Sequence, residues 1–376
     1  MFHVKHRPFT PLAVVIAALV LATGCIGDTF SQPSGWASPV EAGEVLLVQS
    51  ERGRLDALEF TASGALVERW HYPVSDDQVE LDAIYATPLV EGDVIYLAGY
   101  SGDVVALSLA TGRPLPAWGA PVRLDGHIVA TPAFDGERLY VATDRGRVSA
   151  LDASSGRVAD VVLDAAGDHP IWGDPVLVGG TLYVADIDRT VHAIGVASGD
   201  ARWAQPLGGG VPAPLALDRE VLIAGSLDSR LYALDAGAGG SELWSFEGDG
   251  WFWSRPLVAG GSIYAPTSRG TVYAIDRASG AERWSFASGG SQIRTALALV
   301  DGVLVAADKD GAVVGLNPSS GAVLWRSTID GDILADPLVR GPEVLYLTTG
   351  GDLVRVHPQD GRVEELPRLA PGRQDG

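Results

Sequence analysis

Beyond residue 35 the chain alternates short apolar runs with short polar turns. The runs hold four or five residues rich in Val, Ile, Leu, Tyr and Ala, and the turns are made of Gly, Asp and Ser. No stretch there sustains the 3.6-residue period of an amphipathic helix. One unit reads Ala86-Thr87-Pro88-Leu89-Val90, a turn at Glu91-Gly92-Asp93, then Val94-Ile95-Tyr96-Leu97-Ala98. A second turn at Tyr100-Ser101-Gly102-Asp103 leads to Val104-Val105-Ala106-Leu107, followed by Thr111-Gly112 and Trp118. Runs of this length between Gly and Asp-Gly turns predict strands joined by hairpins. The runs are apolar on both faces, which predicts sheets packed face to face.

The unit recurs eight times. Its anchors are Pro39, Pro88, Pro132, Pro175, Pro214, Pro256, Ala296 and Pro337, spaced 39 to 49 residues apart. Each anchor is followed by two further strands, as in Leu182-Tyr183-Val184-Ala185 and Val272-Tyr273-Ala274-Ile275-Asp276. A Gly turn closes each third strand, at Gly64, Gly112, Gly156, Gly199, Gly240, Gly280, Gly321 and Gly361. A fourth strand carries a Trp in six units: Trp70, Trp118, Trp203, Trp244, Trp284 and Trp325. Unit three lacks this Trp, and unit eight has Val363-Glu364-Glu365-Leu366 in its place. About forty residues with four strands is the signature of a propeller blade, and a blade buries its faces only in a ring. The expected fold is all-β, an eight-bladed β-propeller of four-stranded antiparallel blades over residues 36–368. Two closures are open: simple joining of the last blade to the first, or a seam completed by residues 28–36.

The order Thr-Pro-Leu-Val, Ile-Tyr, Tyr-Ala-Ile-Asp-x-x-Ser-Gly and Trp resembles the pyrroloquinoline-quinone-type β-propeller repeat. That family includes quinoprotein dehydrogenases and the BamB-like lipoproteins of outer-membrane protein assembly. The resemblance implies that a dehydrogenase of this family would hold its quinone between a Trp and a vicinal disulfide. It also implies calcium or lanthanide ligands from Glu, Asn and Asp, and an Asp base. Cys25 is the only Cys, so the disulfide cannot form, and no Cys-x-x-Cys-His haem motif occurs. No quinone, other cofactor or metal is therefore expected. The BamB-like branch implies a non-catalytic scaffold with a protein partner in the cell envelope.

Charge changes the picture of partners. Against 27 Lys and Arg stand 47 Asp and Glu, a net charge of −20. Nucleic acid is not an expected partner, because phosphate affinity needs a basic footprint. A single Cys also excludes a disulfide framework or a Cys-rich metal site. No phosphate loop, dinucleotide fingerprint or Gly-x-Ser-x-Gly elbow appears.

The first residues read as an address. Lys5, His6 and Arg7 precede an apolar run from Leu12 to Ala22, too short for a spanning helix of about 20 residues. The run ends in Leu21-Ala22-Thr23-Gly24-Cys25, which resembles a bacterial lipobox. Residues 1–24 are expected to be a signal peptide and Cys25 the lipidated, palmitate-bearing first residue of the mature chain. Residues 25–35 would be a tether and 369–376 a disordered tail. The protein would then sit outside the cytoplasm, held to a bacterial membrane through Cys25.

Residues that break the repeat are the candidate site. Trp36, Tyr85, Trp172 and Trp253 each lie three positions before their anchor Pro. Val129, Val211, Ile293 and Leu334 hold that position elsewhere. In a propeller these lead-in loops share one face around the axial channel. Arg255, Arg294, Asp174, Asp336 and His169 lie beside them, and Trp251-Phe252-Trp253 is the densest aromatic run. Trp36, Tyr85, Trp172, Trp251, Trp253, Arg255, Arg294, Asp174 and Asp336 are the candidate binding face. A scaffold would use it to hold a protein partner, and a sensor or ligand-binding module would use it as a pocket.

Overall fold

The computed structural model describes residues 35–74, 81–165, 169–237 and 239–369. Cys25, the signal peptide and the tether up to residue 34 lie outside them. Eight antiparallel sheets follow one another along the chain, as the repeat predicts. They occupy residues 40–72, 89–123, 133–164, 176–206, 216–247, 257–287, 298–328 and 338–365. In the sixth blade the strands are Leu257–Ala259, Ser262–Pro266, Thr271–Asp276 and Glu282–Ala287. The second and third of these are buried almost throughout, whereas the fourth is largely exposed. Among the described residues no helix is long and apolar enough to cross a membrane.

Among the described residues the core divides into eight clusters between neighbouring sheets and a ninth, Ala83, Tyr85 and Val129, at the lead-in loops. Each apolar cluster between sheets mixes residues of two consecutive blades, such as Tyr264, Val272 and Ala274 with Leu304, Ala306 and Leu316. The last joins Leu345, Leu347 and Leu353 to Leu46, Leu58 and Leu66. That cluster closes the ring, because it packs the eighth blade on the first. Arg368–Leu369 completes the seam by pairing in parallel with the outer strand Leu66–Tyr72. Arg368 also donates to Asp56 Oδ2 at 3.2 Å and to the Gly351 carbonyl at 2.7 Å, linking the first and last blades. The first blade's own four strands all come from 40–72. Gly35 instead bridges Ile84, at the lead-in to the second blade.

The repeated Trp reaches across to the next blade. Its indole Nε1–H donates to a carbonyl there in all six units, from Trp70 to Leu109 O (2.9 Å) to Trp284 to Pro318 O (3.0 Å). Its ring lies against that blade's turn glycine, Trp244 on Gly280 and Trp284 on Gly321 among them. Opposite the Trp stands Ala or Gly in five blades, as in Ala274↔Trp284 and Gly315↔Trp325. A register shift follows each of these pairs. A bulge of this kind turns the strand and re-aims its side chain. Trp118 departs from the expected fourth strand. It sits in a 3₁₀ turn, Pro116–Trp118, ahead of Val122–Arg123, because Pro114 and Pro116 lack the N–H groups a ladder needs. Its indole still finds Ala153 O at 2.9 Å.

The two units without the Trp leave matching gaps. Gly64 follows unit eight around the ring and has no atom near its would-be Cβ; Gly199 follows unit three and meets only Asp160 Oδ2 at 3.9 Å. Gly199 (φ +71°) and Gly280 (φ +72°) thus share a backbone but not a neighbour. Ala at either suffers the left-handed penalty of about 1 kcal/mol. At Gly280 its Cβ would also stand 2.7 Å from the Trp244 ring, adding an overpacking cost of about 1–3 kcal/mol. Denaturant unfolding is expected to show Gly280→Ala as clearly the more destabilised of the two. Equal losses would mean the Trp yields freely.

Candidate functional site

Each blade's innermost strand is reached through a short loop, and the turn between its second and third strands hydrogen-bonds that loop. Ser268 N–H donates to Trp251 O, Lys309 N–H to Gln292 O and Asp144 N–H to His127 O. Lead-in loops and these turns therefore lie on one face of the ring.

A cavity of about 110 Å³ opens among the lead-in loops. All eight blades contribute to its wall, which places it on the ring axis. Trp36, Tyr85, Trp172, Trp253, Arg255, Arg294, Asp174 and Asp336 line it together. Eight of the nine candidate residues thus converge. Val129 and Leu334 also reach the wall, whereas Val211 and Ile293 are buried outside it.

Trp251 is absent from the wall. It is 41% exposed, with its N–H on Ser268 Oγ (3.0 Å) and its carbonyl accepting from Ser268 N–H. These bonds hold it over its own blade's turn. Phe252 is buried between the fifth and sixth blades, and Trp253 faces the cavity. His169 is likewise drawn aside, with Nδ1 3.2 Å from Asp188.

The residue just before the anchor builds the wall's polar rim in six of the eight units, Ala213 and Thr295 lying outside the wall. It is Ser38, Thr87, Thr131, Asp174, Ala213, Arg255, Thr295 and Asp336 in turn, polar in seven of eight units. Ser38 N–H donates to Thr87 Oγ1 (3.3 Å), Thr87 N–H to Thr131 Oγ1 (3.1 Å) and Thr131 N–H to Asp174 Oδ1 (2.7 Å). On the far side Ala296 N–H donates to Asp336 Oδ1 (2.6 Å) and Asp336 N–H to Ser38 Oγ (3.1 Å). The belt breaks at blade five, where Ala213 has no acceptor. Arg255 spans the break, its Nη2 2.7 Å from Asp174 Oδ2. Ser38, Thr87, Thr131 and Ser254 were not among the candidates. The polar residue recurring just before the anchor was the signal for the first three; Ser254, two positions before Pro256, carried none.

The aromatics form two arcs. Trp36 meets Tyr85 edge-on at 4.4 Å between centroids, and Tyr85 meets Tyr100 at 5.2 Å. Trp172 and Trp253 lie 6.2 Å apart, with the Arg294 guanidinium 5.7 Å from the Trp253 ring centre. Burial pushes the Asp174 carboxyl above its ordinary pKa, against the opposing pull of Arg255 and the Thr131 N–H. Burial also raises Asp336; the Ala296 N–H and Arg255 oppose this, and the charge of Asp174 adds to it.

The wall holds no Cys, Glu or Asn, so its residues do not fit the quinone and metal of the dehydrogenase branch. No group of three or more His, Cys, Asp or Glu able to hold a metal occurs among the described residues. The Asp308 carboxylate accepts three backbone N–H groups, those of Ser291, Asp310 and Ala312.

A family model described as outer membrane protein assembly factor BamB matches four overlapping stretches, 31–161, 117–209, 190–297 and 268–364. Serine/threonine-protein kinase AfsK of Streptomyces griseus is 35% identical over 212 residues, 53% of this chain and 25% of the kinase. Outer membrane protein assembly factor BamB of Burkholderia pseudomallei is 30% identical over 112 residues, 30% of this chain and 29% of that protein. The same factor from Xanthomonas campestris is 29% identical over 206 residues, 51% and 48% of the two chains. The chain thus spans from a quarter to about half the length of these relatives. Among solved structures, BamB from Moraxella catarrhalis superposes with a TM-score of 0.69 at 18% identity, covering 85% of this chain and 92% of that one. The designed protein Ika8 has the same score at 17% identity, covering 85% and 95%. Both show the propeller fold.

Asp336→Asn keeps an acceptor for the Ala296 N–H and removes a desolvated charge. A carboxyl whose pKa is raised by folding costs the fold stability once ionised, so stability falls as pH climbs from the unfolded value through the raised native one. The variant is expected to be at least as stable as the parent at neutral pH. The difference should close as pH falls through that window. Urea melts across the pH range read both; a variant less stable at neutral pH would contradict the account.

Proposed function

Because the chain belongs to the BamB family of outer membrane protein assembly factors, we propose that it is a non-catalytic, protein-binding scaffold of the cell envelope. The observation that carries this reading is the exposed Trp251 on the loop-bearing face of a rigid ring. Large exposed aromatics on such a face mark contact sites for protein partners. Arg269 is exposed in the turn that hydrogen-bonds Trp251, so the patch offers an aromatic surface with a cation beside it. The net charge of −20 favours a basic partner overall.

The scaffold works from a membrane in this reading. Cys25 carries a lipid after removal of residues 1–24, which shifts the net charge to −22 because Lys5 and Arg7 leave and no acid does. The tether then leads to Trp36, whose ring lines the axial cavity on the loop-bearing face.

A photoreactive residue at position 251 is expected to form adducts with envelope proteins, and one at the exposed Ser279, in a turn between third and fourth strands, is not. Cys25→Ala should abolish labelling by palmitate and release the protein from the membrane fraction. Equal adducts from both positions would remove the Trp251 face from the proposal. Unchanged membrane retention would remove the anchor.

A further inference from the structure

A second cavity, of about 190 Å³, opens between the sixth and seventh blades, with Ile293, Ala306, Asp308, Val314 and Arg326 in its wall. We propose that it binds a small phenol, whose hydroxyl donates to the Asp308 carboxylate. The site shares no residue with the axial cavity and does not rest on the scaffold reading.

The repeat itself shows what fits this space. Val314 pairs with Ala306; at the same position blade five pairs Tyr232 with Ala224, and blade six pairs Tyr273 with Ala265. Tyr232 packs toward the preceding blade beside Leu222, Ala224 and Leu234. Their counterparts Leu304, Ala306 and Leu316 do so beside Val314. Tyr273 meets Phe246 of the preceding blade edge-on at 5.1 Å between centroids, whereas Phe286, the counterpart of Phe246, has only Val314 there. The strand's first residue is also cut down, to Ala312 from Arg230 in blade five and Thr271 in blade six. Blade seven thus lacks the ring that fills this gap in its two predecessors. An apolar cavity of roughly 150 Å³ admits benzene, so the space suits one substituted ring. Ala312 and Gly290 belong to its wall and are exposed, which opens it to solvent.

The polar contact is equally prefigured. In blade five the Tyr232 hydroxyl donates to Asp228 Oδ2 at 2.5 Å, and both oxygens lie within 2.7 Å of where a Cβ on Gly208 would stand. Beside Gly290 the Asp308 Oδ2 holds the same place at 2.6 Å, and apart from the glycine's chain neighbours the next atom is Ser288 Oγ at 3.6 Å. Room for a phenol oxygen therefore exists next to the carboxylate. Blade four gives a second precedent: Asp186 accepts the Thr190 N–H through Oδ1, as Asp308 accepts that of Ala312, and its Oδ2 meets His192 Nε2 at 2.9 Å. Val314 stands where that histidine does. The neighbouring Lys309 pairs with Asp310 rather than with Asp308. Arg326 is exposed, with its guanidinium 5.3 Å from the Phe286 ring centre, so a cation is repelled and a neutral aromatic donor is favoured.

The test titrates the full chain with 4-methylphenol and with toluene by calorimetry. 4-Methylphenol is expected to saturate one site and to bind at least about tenfold more tightly than toluene, a hydrogen bond to a charged acceptor being worth that factor. Val314→Tyr combined with Arg326→Ser rebuilds the Tyr232↔Ser245 and Tyr273↔Ser285 pairs of blades five and six. That variant, checked for folding by urea melt, should lose the binding because its own ring fills the space. The toluene comparison is made on the parent chain and decides the hydroxyl's role whatever the variant's fold. Equal affinity for toluene would overturn the proposal, as would undiminished binding by the folded variant or the absence of saturable 4-methylphenol binding by the parent.

Discussion

The ring stands on one contact made six times: an indole from one blade laid on the turn glycine of the next. The contact does two things at once. The ring covers a glycine in the left-handed region, where a side chain would clash, and the indole N–H satisfies a carbonyl beside that turn. A buried donor without a partner would cost about 1–3 kcal/mol, so the Trp fixes orientation as well as filling space. Neighbouring sheets then bury their second and third strands against each other, and the blades become one body. Where the Trp is missing between the eighth and first blades, Arg368–Leu369 and its bonds to Asp56 and Gly351 tie the ends.

Ring geometry makes the site. Eight equivalent lead-in loops converge on an axis, and whatever the repeat leaves variable there becomes a wall. The belt of backbone-to-side-chain bonds through Ser38, Thr87, Thr131 and Asp174 holds the wall in place. Its break at Ala213 is where the Arg255–Asp174 pair crosses. The cavity is asymmetric because the repeat is strict in the blades and lax at the position before each anchor.

Much of this was legible in the chain. Strand order, blade number and the convergence of the lead-in residues follow from eight copies of one pattern, since a closed ring fixes where equivalent positions meet. Two kinds of feature were not. Trp251 and His169 lie within a few residues of wall positions, yet local bonds to Ser268 and Asp188 swing them over their own turns. Such choices depend on a hydroxyl or carboxylate some twenty residues away, which periodicity does not register. The pairing of Trp with the following glycine was also hidden, because the two belong to different units. It shows only when the units missing the Trp are matched to the glycines that have no neighbour. Closure was left open for the same reason: parallel pairing of two residues at the end of the chain carries no periodic signal.

The central claim is that each Trp locks the next blade. All eight turn glycines donate their N–H to a carbonyl of their own turn; it lies four residues back in six of them, as from Gly199 to Gly195 and Gly280 to Asp276, three back at Gly64 (Thr61) and five back at Gly240 (Asp235). Gly199 is thus matched in local hydrogen bonding to Gly112, Gly156, Gly280, Gly321 and Gly361, and differs from them in lacking the indole. Native-state hydrogen exchange at these eight amides is the direct test. The account expects Gly64 and Gly199 to exchange clearly faster than Gly112, Gly156, Gly240, Gly280, Gly321 and Gly361. Uniform protection around the ring, or slow exchange at Gly64 and Gly199, would contradict it.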